Sequence, residues 1–285
     1  MDVAATALLL YALWGANPVA VKVALVTLPP IGVAALRFAL AGAGLAAWCA
    51  LRREPLLPSA REAPLLAVNG LVFCMQIATF YLGLSWSSAS HGAVLVNSFP
   101  IFVAIFAHFY LAGDRLSAGT ALGVALGFAG VAVTFFDRWG RASPTMLQGD
   151  LLFVASAVLV GAQNTYFKSI IGRVSSYKII FAQMTICLPA YFTYSVLAEG
   201  LLTARPDALA LAAVAYQGIV IGAFGFMAWA VLVRRVAVSR LTVFGFSVPV
   251  WGVILSHLFL GEPLTGKLVA GMALVVVGIA IAARS

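Results

Sequence analysis

The chain alternates between long apolar stretches and short polar ones. Ten apolar runs follow one another at positions 3–24, 30–51, 64–86, 91–112, 117–136, 147–170, 176–198, 208–233, 239–260 and 266–283. A hydrocarbon core about 30 Å thick is crossed by roughly 20 helical residues. Helices satisfy every backbone group where water is absent. The pattern therefore predicts an all-α integral membrane protein with ten transmembrane helices.

Composition also indicates that lipid surrounds this chain. Hydrophobic residues make up 63% of its 285 residues and charged residues only 9%. A net charge of +8 would suggest nucleic acid as the partner of a soluble protein. Here the basic residues lie mostly between apolar runs, where they act as topology signals. The bilayer is the expected partner, and nucleic acid is not.

The basic residues are distributed unequally between the two predicted membrane faces. Eleven of them fall on the face that holds both termini: Arg52, Arg53, Arg61, Arg115, Lys168, Arg173, Lys178, Arg234, Arg235, Arg240 and Arg284. Five fall on the other face: Lys22, Arg138, Arg141, Arg205 and Lys267. Basic loops stay in the cytoplasm. Both termini are therefore predicted to be cytoplasmic.

Part of the chain repeats itself. Residues 90–130 recur at an offset of 149, which falls to 148 after one gap, and the first helix recurs at an offset of 146. The matches pair Ser90, Pro100, His108, Gly123 and Gly130 with Ser239, Pro249, His257, Gly271 and Gly278, and Lys22 with Lys168. This predicts two five-helix halves, 1–140 and 141–285. Because five crossings are an odd number, the second half should be inverted, as in many secondary transporters, around a central cavity.

Three predicted helices contain a proline near the middle, namely Pro18, Pro100 and Pro249. Proline lacks the N–H that would bond the carbonyl four residues earlier. A freed carbonyl at membrane depth needs a partner or a wet cavity. These positions are the predicted helix hinges.

Polar and aromatic side chains lie at the same depth as the prolines. The polar candidates for substrate binding are Asn17, Gln76, Asn97, Gln163, Asn164 and Ser247. The aromatic candidates are Trp14, Tyr81 and Trp251. The alternatives are interhelical hydrogen bonding for the amides and ordinary packing for the indoles.

Charged residues inside the apolar runs are few. Lys22 and Lys168 are repeat mates near helix ends, where they either snorkel to the headgroups or bind a substrate carboxylate. Arg37 lies inside the second helix, has Gln183 as its counterpart, and is also expected to snorkel. All nine acidic residues fall at helix ends or in loops. We therefore expect transport down the solute gradient, although the histidines could titrate.

Several functional classes lack their signals in this sequence. Cys49, Cys74 and Cys187 have no CxxC spacing and are expected to be buried packing residues. Two of the three histidines should lie near opposite faces, which disfavours a metal site. No phosphate loop, nucleotide fingerprint or activated nucleophile is present. We expect no metal, no cofactor and no enzymatic activity.

Three segments resemble a known family. The first helix reads LLLYALWGANPVAVKVAL, the fourth SASHGAVLVNSFPIFVAIFAHFYLAGDRLS and the ninth SRLTVFGFSVPVWGVILSHLFLGEPLTG. They resemble the EamA type of the drug/metabolite transporter superfamily over the whole chain, and most of all the YddG exporters of aromatic amino acids. The ninth helix ends in Gly-Glu-Pro-Leu, whereas the fourth has Gly-Asp-Arg-Leu, which departs at the proline. The resemblance implies a multi-pass protein of the bacterial inner membrane.

These observations lead to one functional hypothesis and two rivals. The hypothesis is export of amino acids, aromatic ones above all, and of related metabolites by alternating access, in which the two halves rock at the Pro and Gly positions. The rivals are a multidrug or nucleotide-sugar carrier and, from another class, a membrane-embedded lipid enzyme. The oligomeric state stays open, with a monomer sufficient for this mechanism.

Overall fold

The computed structural model describes residues 3–110, 117–138, 143–225, 228, 245 and 247–282. Within these ranges the regular secondary structure is entirely helical. The α-helices are α1 Val3–Gly15, α2 Asn17–Ala24, α3 Pro30–Arg52, α4 Ala63–Trp86, α5 Ala89–Val96, α6 Phe99–Tyr110, α7 Ala118–Phe135, α8 Pro144–Ile170, α9 Ser176–Thr185, α10 Leu188–Ala198, α11 Ala208–Ala215, α12 Val248–Leu260 and α13 Gly266–Ala282. A π-helix, Tyr216–Gly225, continues α11.

Eight helical stretches of the described chain are long and apolar enough to cross a membrane. They are Thr6–Ala24, Pro30–Arg52, Ala63–Trp86, Ala89–Tyr110, Ala118–Phe135, Pro144–Ile170, Ser176–Ala198 and Ala208–Gly225. Two shorter apolar helices, α12 and α13, follow. The all-helical membrane fold is thus confirmed. The exact number of ten crossings stays a prediction, since part of the predicted ninth run lies outside the described residues.

The surface of the bundle is apolar where a soluble protein would be polar. Phe109, Tyr110, Leu258 and Phe259 are each exposed by more than two-thirds. Contiguous exposed apolar surface of this kind is unfavourable in water and favourable in lipid. The outer surface therefore faces acyl chains, and the interior holds the polar side chains.

Three of the crossing helices are interrupted in mid-span. The breaks fall between α1 and α2, between α5 and α6, and between α9 and α10. The second residues of α2, α6 and α10 are Pro18, Pro100 and Pro189. Pro189 thus has the same position as Pro18 and Pro100, although it was not among the predicted hinges. Pro249 is also the second residue of its helix, α12. Proline is tolerated at the start of a helix, because the first N–H groups have no intrahelical acceptor.

The closest helix packing in the bundle joins α7 to α13. A Cβ added at Gly130 would lie 2.6 Å from the carbonyl oxygen of Gly271, and one added at Gly278 would lie 2.6 Å from that of Gly123. Position 123 thus meets 278 and position 130 meets 271, so the helices run antiparallel. Glycine is needed at these four positions because the backbones approach too closely for any side chain.

The two ends of the bundle carry different loops. We call the end with residues 53–62 and 171–175 the terminal face, since the described chain also starts and stops there. The end with residues 25–29, 87–88, 199–207 and 261–265 is called the opposite face. Several residues used to predict orientation lie outside the described residues, namely Arg115, Arg141, Arg234, Arg235, Arg240 and Arg284.

Candidate functional site

A buried polar cluster of the bundle interior is built around Arg37. Its side chain is 6% exposed, and its terminal nitrogen Nη1 donates to the Tyr81 hydroxyl at 3.1 Å and to Asn17 Oδ1 at 3.5 Å. Tyr81 in turn donates to Gln217 Oε1 at 2.6 Å. The prediction that Arg37 snorkels is therefore wrong. Its face of α3 packs against other helices, so the guanidinium finds polar partners inside the bundle instead of headgroups.

Close packing of α3 against the π-helix brings Gln217 to this point. A Cβ at Gly218 would lie 2.8 Å from the backbone oxygen of Arg37, and Gly222 packs as tightly on Ala41. A π-helix widens the helical turn and is frequent at functional sites. The sequence reasoning did not find Gln217, because its position depends on this contact between segments 180 residues apart (217 − 37).

We call Asn17, Arg37, Tyr81 and Gln217 the central cluster. It joins α2, α3 and α4 of the first predicted half to the π-helix of the second. Asn17 starts α2 directly after the first mid-span break. Of the predicted substrate-binding residues, Asn17 and Tyr81 are brought together here.

The central cluster is incompletely hydrogen-bonded. Arg37 Nε and Gln217 Nε2 are buried N–H donors without a partner. In the described part of the chain, Arg37 has no carboxylate within ion-pair distance; the pairs found there are His91–Asp137, His91–Asp150 and Lys178–Glu62. Buried donors left unpaired are rare and unfavourable. The cluster can thus accept an anionic or strongly polar group.

Three other predicted polar residues already have partners. Gln76 Nε2 donates to Ser156 Oγ at 3.0 Å and joins α4 to α8. The amides of Asn97 and Asn164 donate to carbonyls of their own helices, at Ala93 and Val160. The Gln76 bond fits the alternative of interhelical hydrogen bonding, whereas the bonds of Asn97 and Asn164 stay within their own helical segments.

The remaining predicted residues lie apart from the central cluster. Gln163 is buried within α8, and Ser247 precedes α12. Trp14 packs edge-on against Tyr11, and Trp251 is 37% exposed. The two indoles belong to neighbouring helices, since Gly15 contacts the Cβ of Trp251.

A second buried polar cluster lies at the opposite face. His91 is fully buried, with Nδ1 2.8 Å from Asp150 Oδ2 and Nε2 3.5 Å from Asp137 Oδ2. Asp150 also accepts from the Ser87 hydroxyl, and Asp137 accepts from the Thr265 hydroxyl at 2.7 Å. We call these five residues the histidine cluster. It ties α5, α8 and the segments beside α7 and α13 together.

Two further carboxylates cap helices at the opposite face. Glu262 accepts from the backbone N–H groups of Ala89 and Ser90, both at 2.8 Å. Glu199 accepts from those of Ile31 and Gly32, both at 3.1 Å. The first N–H groups of a helix have no intrahelical partner and favour negative charge. Each glutamate thereby fastens a helix of the first half to a loop of the second.

The terminal face has an ion pair of a different kind. Lys178 Nζ lies 2.8 Å from Glu62 Oε2, and both side chains are partly exposed. The hydrogen bond from Lys178, with those from Ser59, lowers the pKa of Glu62 to about 2. This pair joins the start of α4 to α9 at the membrane surface.

A cavity of about 290 Å³ opens near the opposite face. Its walls are Lys22, Leu25, Val26, Pro30, Leu84 and Ser85. None of the predicted substrate-binding residues lines it, so the predicted central cavity stays a prediction. Across the described residues no group of three or more His, Cys, Asp and Glu could hold a metal ion.

Signals for the residues that were missed do exist in the sequence. An arginine seven residues into an apolar helix, and Asp150 six residues into another, are costly in lipid unless they find partners. That cost marks both residues as members of buried clusters. The identity of their partners cannot be read from spacing alone.

Comparison with known proteins gives relatives along the full length. A probable amino-acid metabolite efflux pump of Escherichia coli (strain K12) is 28% identical over 284 residues, covering 96% of this chain and 92% of that protein. The uncharacterized transporter YvbV of Bacillus subtilis (strain 168) is 29% identical over 283 residues, covering 97% and 90%. A probable terminal-alkyne amino-acid exporter of Streptantibioticus cattleyicolor is 25% identical over 235 residues, covering 80% and 75%.

A solved crystal structure has the same fold. It superposes with a TM-score of 0.69 at 21% sequence identity and covers 98% of this chain and 94% of that chain. The sequence profile of the EamA-like transporter family matches residues 3–136 and again 147–284. Together the two matches span nearly all of the sequence. The chain therefore belongs to the EamA-like transporter family, and it is a membrane transporter.

Proposed function

We propose that this transporter exports amino acids, aromatic ones above all, and related small metabolites by alternating access between two inverted halves. The observation that carries the proposal is the central cluster. It combines side chains from both halves, in the membrane interior, next to an interrupted helix. Secondary transporters bind their solutes at such repeat interfaces near the midplane, where helices are broken.

The inverted arrangement is supported by pairs of contacts that exchange repeat mates. Gly123 and Gly130 have Gly271 and Gly278 as mates at an offset of 148, and the contacts join 123 to 278 and 130 to 271. A contact that is repeated when each residue is replaced by its mate is what twofold symmetry produces. The double match of the family profile, to 3–136 and 147–284, supports the same division into halves.

The central cluster has a counterpart that obeys the same symmetry. The mate of Arg37 is Gln183 at an offset of 146, and Gln217 lies 148 residues after Asn69. Gln183 Nε2 donates to Asn69 Oδ1 at 2.7 Å. Each half thus sends a polar residue of its second helix toward an amide of the other half's third helix. Only the first of these pairs carries a charge.

The solute class is supported by relatives and by aromatic side chains. Two relatives are described as a probable amino-acid metabolite efflux pump and a probable terminal-alkyne amino-acid exporter. Tyr81 lies in the central cluster, and Trp14 and Trp251 lie on neighbouring helices. Aromatic rings offer flat apolar surface for a solute ring. We place both termini on the cytoplasmic side of a bacterial inner membrane, following the distribution of basic residues.

Reconstituted vesicles test this proposal directly. Liposomes that contain the purified protein should release preloaded, labelled phenylalanine faster than protein-free liposomes loaded in the same way. Unlabelled tryptophan should slow this release by competing with phenylalanine. Tyr81→Phe should slow this release severalfold, because it removes the hydroxyl that joins Arg37 to Gln217. Tyr194→Phe is the matched control, since Tyr194 is 52% exposed on the lipid side and should behave as wild type.

The same vesicles separate the rivals and the energy source. Flux of a nucleotide sugar or a cationic drug, with none of any amino acid, would favour the multidrug or nucleotide-sugar carrier, and turnover of a lipid would favour an enzyme. We expect flux to follow the solute gradient and to change little when an ionophore collapses a pH difference. Strict dependence on that difference would instead assign proton coupling to the histidine cluster.

A further inference from the structure

Arg37 carries a positive charge that nothing in the described structure neutralises. Its guanidinium stays protonated under all ordinary conditions. Its side-chain partners are a hydroxyl and an amide oxygen, both neutral, with a ring contact to Phe38 at 4.6 Å. Burying a cation away from water without a counter-charge is unfavourable by several kcal/mol. An intramembrane arginine retained at this cost indicates a function that uses the charge.

The unpaired donors of the cluster point to the same missing group. Arg37 Nε and Gln217 Nε2 are buried and have no acceptor, while the Tyr81 hydroxyl between them already accepts from Arg37 and donates to Gln217. A water molecule could satisfy one donor but would add no charge. A carboxylate carries one negative charge and has about four acceptor positions. One group of this kind satisfies both the charge and the donors.

We propose that Arg37 and Gln217 bind the carboxylate of the transported solute. The inference rests on the proposed transport function and specifies which chemical group of the solute the site recognises. The planar guanidinium fits a carboxylate better than a lysine would, because it offers several N–H donors in a fixed fork. Asn17 Oδ1, beside the guanidinium, is the acceptor available to a neighbouring ammonium group. The pair of groups matches an amino acid.

A single guanidinium also limits the class of ligand. A monocarboxylate leaves the site neutral, whereas a phosphate or a dicarboxylate would leave a buried negative charge uncompensated. A decarboxylated amine or an amide would leave Arg37 as it is in the empty site. The site should therefore discriminate by the presence of one carboxylate, in addition to the shape of the solute.

Binding of two nearly isosteric probes tests this inference without reference to transport. Thermal unfolding of the purified protein in detergent is followed with 3-phenylpropionate and with 3-phenylpropionamide. The carboxylate should raise the unfolding temperature and bind at least about tenfold more tightly than the amide, as expected for a charge-assisted hydrogen-bonded pair. Arg37→Met should bind both probes equally and weakly. Arg37→Lys, which keeps the charge but lacks the fork, should restore only part of the preference.

The control is Arg205→Met, which removes an exposed loop arginine and should keep the preference for the carboxylate. Equal binding of the two probes by the wild-type protein, or an unchanged preference in Arg37→Met, would overturn the inference even if phenylalanine is transported. Preference for the carboxylate without any amino-acid flux would support the inference and reject the amino-acid proposal. The two failures are therefore distinguishable.

Discussion

The central cluster and the histidine cluster are both buried, yet their charges are balanced in opposite ways. In the histidine cluster, His91 has a carboxylate on each side, and hydroxyls of Ser87 and Thr265 donate to those carboxylates. In the central cluster, one guanidinium faces neutral groups, and two N–H donors remain unused. In the histidine cluster, His91 Nε2 also lacks a hydrogen-bond partner, but it faces the Asp137 carboxylate at 3.5 Å. A cluster with surplus positive charge favours the binding of an anionic group.

The location of the clusters agrees with this division. The histidine cluster lies where Glu199 and Glu262 also cap helices of the first predicted half, so several contacts join distant segments at the opposite face. The central cluster lies beside an interrupted helix. In a carrier, the contacts that close one end must lie away from the binding site, because a solute bound at the centre has to stay bound while either end opens. The histidine cluster therefore joins distant segments at the opposite face, whereas the central cluster is the one that we propose to contact the solute.

The largest difference in stability should be between a variant that removes a charge from the histidine cluster and one that removes the charge from the central cluster. Asp150→Asn should destabilise the protein by about 1–3 kcal/mol, because His91 and Ser87 lose their charged acceptor while Asp137 still faces His91. Arg37→Met should leave stability unchanged or raise it, since replacing an uncompensated buried charge by an apolar side chain of similar length removes a desolvation cost. Thermal unfolding in detergent, without solute, measures both.

The order of these two effects decides whether the comparison holds. A larger loss of stability in Arg37→Met than in Asp150→Asn would mean that the central cluster is the structural one. Asn69→Ala is a useful reference, because it removes a neutral buried amide and should cost about 1–3 kcal/mol.

An intermediate effect is expected where Glu262 caps α5. Glu262→Ala leaves the N–H groups of Ala89 and Ser90 without acceptors and should cost about 0.5–2 kcal/mol, as for other helix caps. Glu262→Gln keeps one acceptor oxygen and should cost less. Hydrogen exchange of the amides at 89 and 90 should speed up in the order wild type, Gln, Ala. Equal exchange in all three proteins would show that the cap does not hold the opposite face.

The smallest effect concerns Glu62 and Lys178 at the terminal face. The pKa of Glu62 is lowered from 4.5 to about 2 by hydrogen bonds from Lys178 and Ser59. A lowered pKa in the folded state means that the pair contributes its stability fully above about pH 4.5 and loses it as the pH falls towards 2. The contribution should be small, because partly exposed pairs are screened.

Unfolding temperatures from pH 5 down to pH 2 provide the measurement. The difference between the wild type and Glu62→Gln should be greatest at pH 5, should disappear near pH 2, and should shrink in high salt. A difference that persists at pH 2 would mean that Glu62 stabilises the protein by packing and not by its charge.

Much of this architecture could be predicted from the sequence, because lipid leaves few alternatives. Long apolar runs can only be helices where water is absent, so the order of the helices followed from hydrophobicity. The transporter family followed from the resemblance of three segments to known members. Asn17 was predicted as a polar group at membrane depth, and Tyr81 was predicted as an aromatic side chain at that depth. Periodicity along one helix, however, does not identify the neighbouring helix.

The partners of charged residues were therefore decided by the tertiary structure. Whether Arg37 snorkels or turns inward depends on which side of α3 meets the π-helix, and that contact requires glycines near position 220 to let the backbones approach. Likewise, the sequence does not show that Asp137, just after α7, and Asp150, in α8, meet around His91. The sequence alone determined which polar groups lie within apolar, membrane-crossing segments, because the hydrophobicity of a segment is read from residues that are neighbours along the chain. Only the packing of distant segments decided which charged side chains face an opposite charge and which face neutral groups, because electrostatic interactions depend on distances in space.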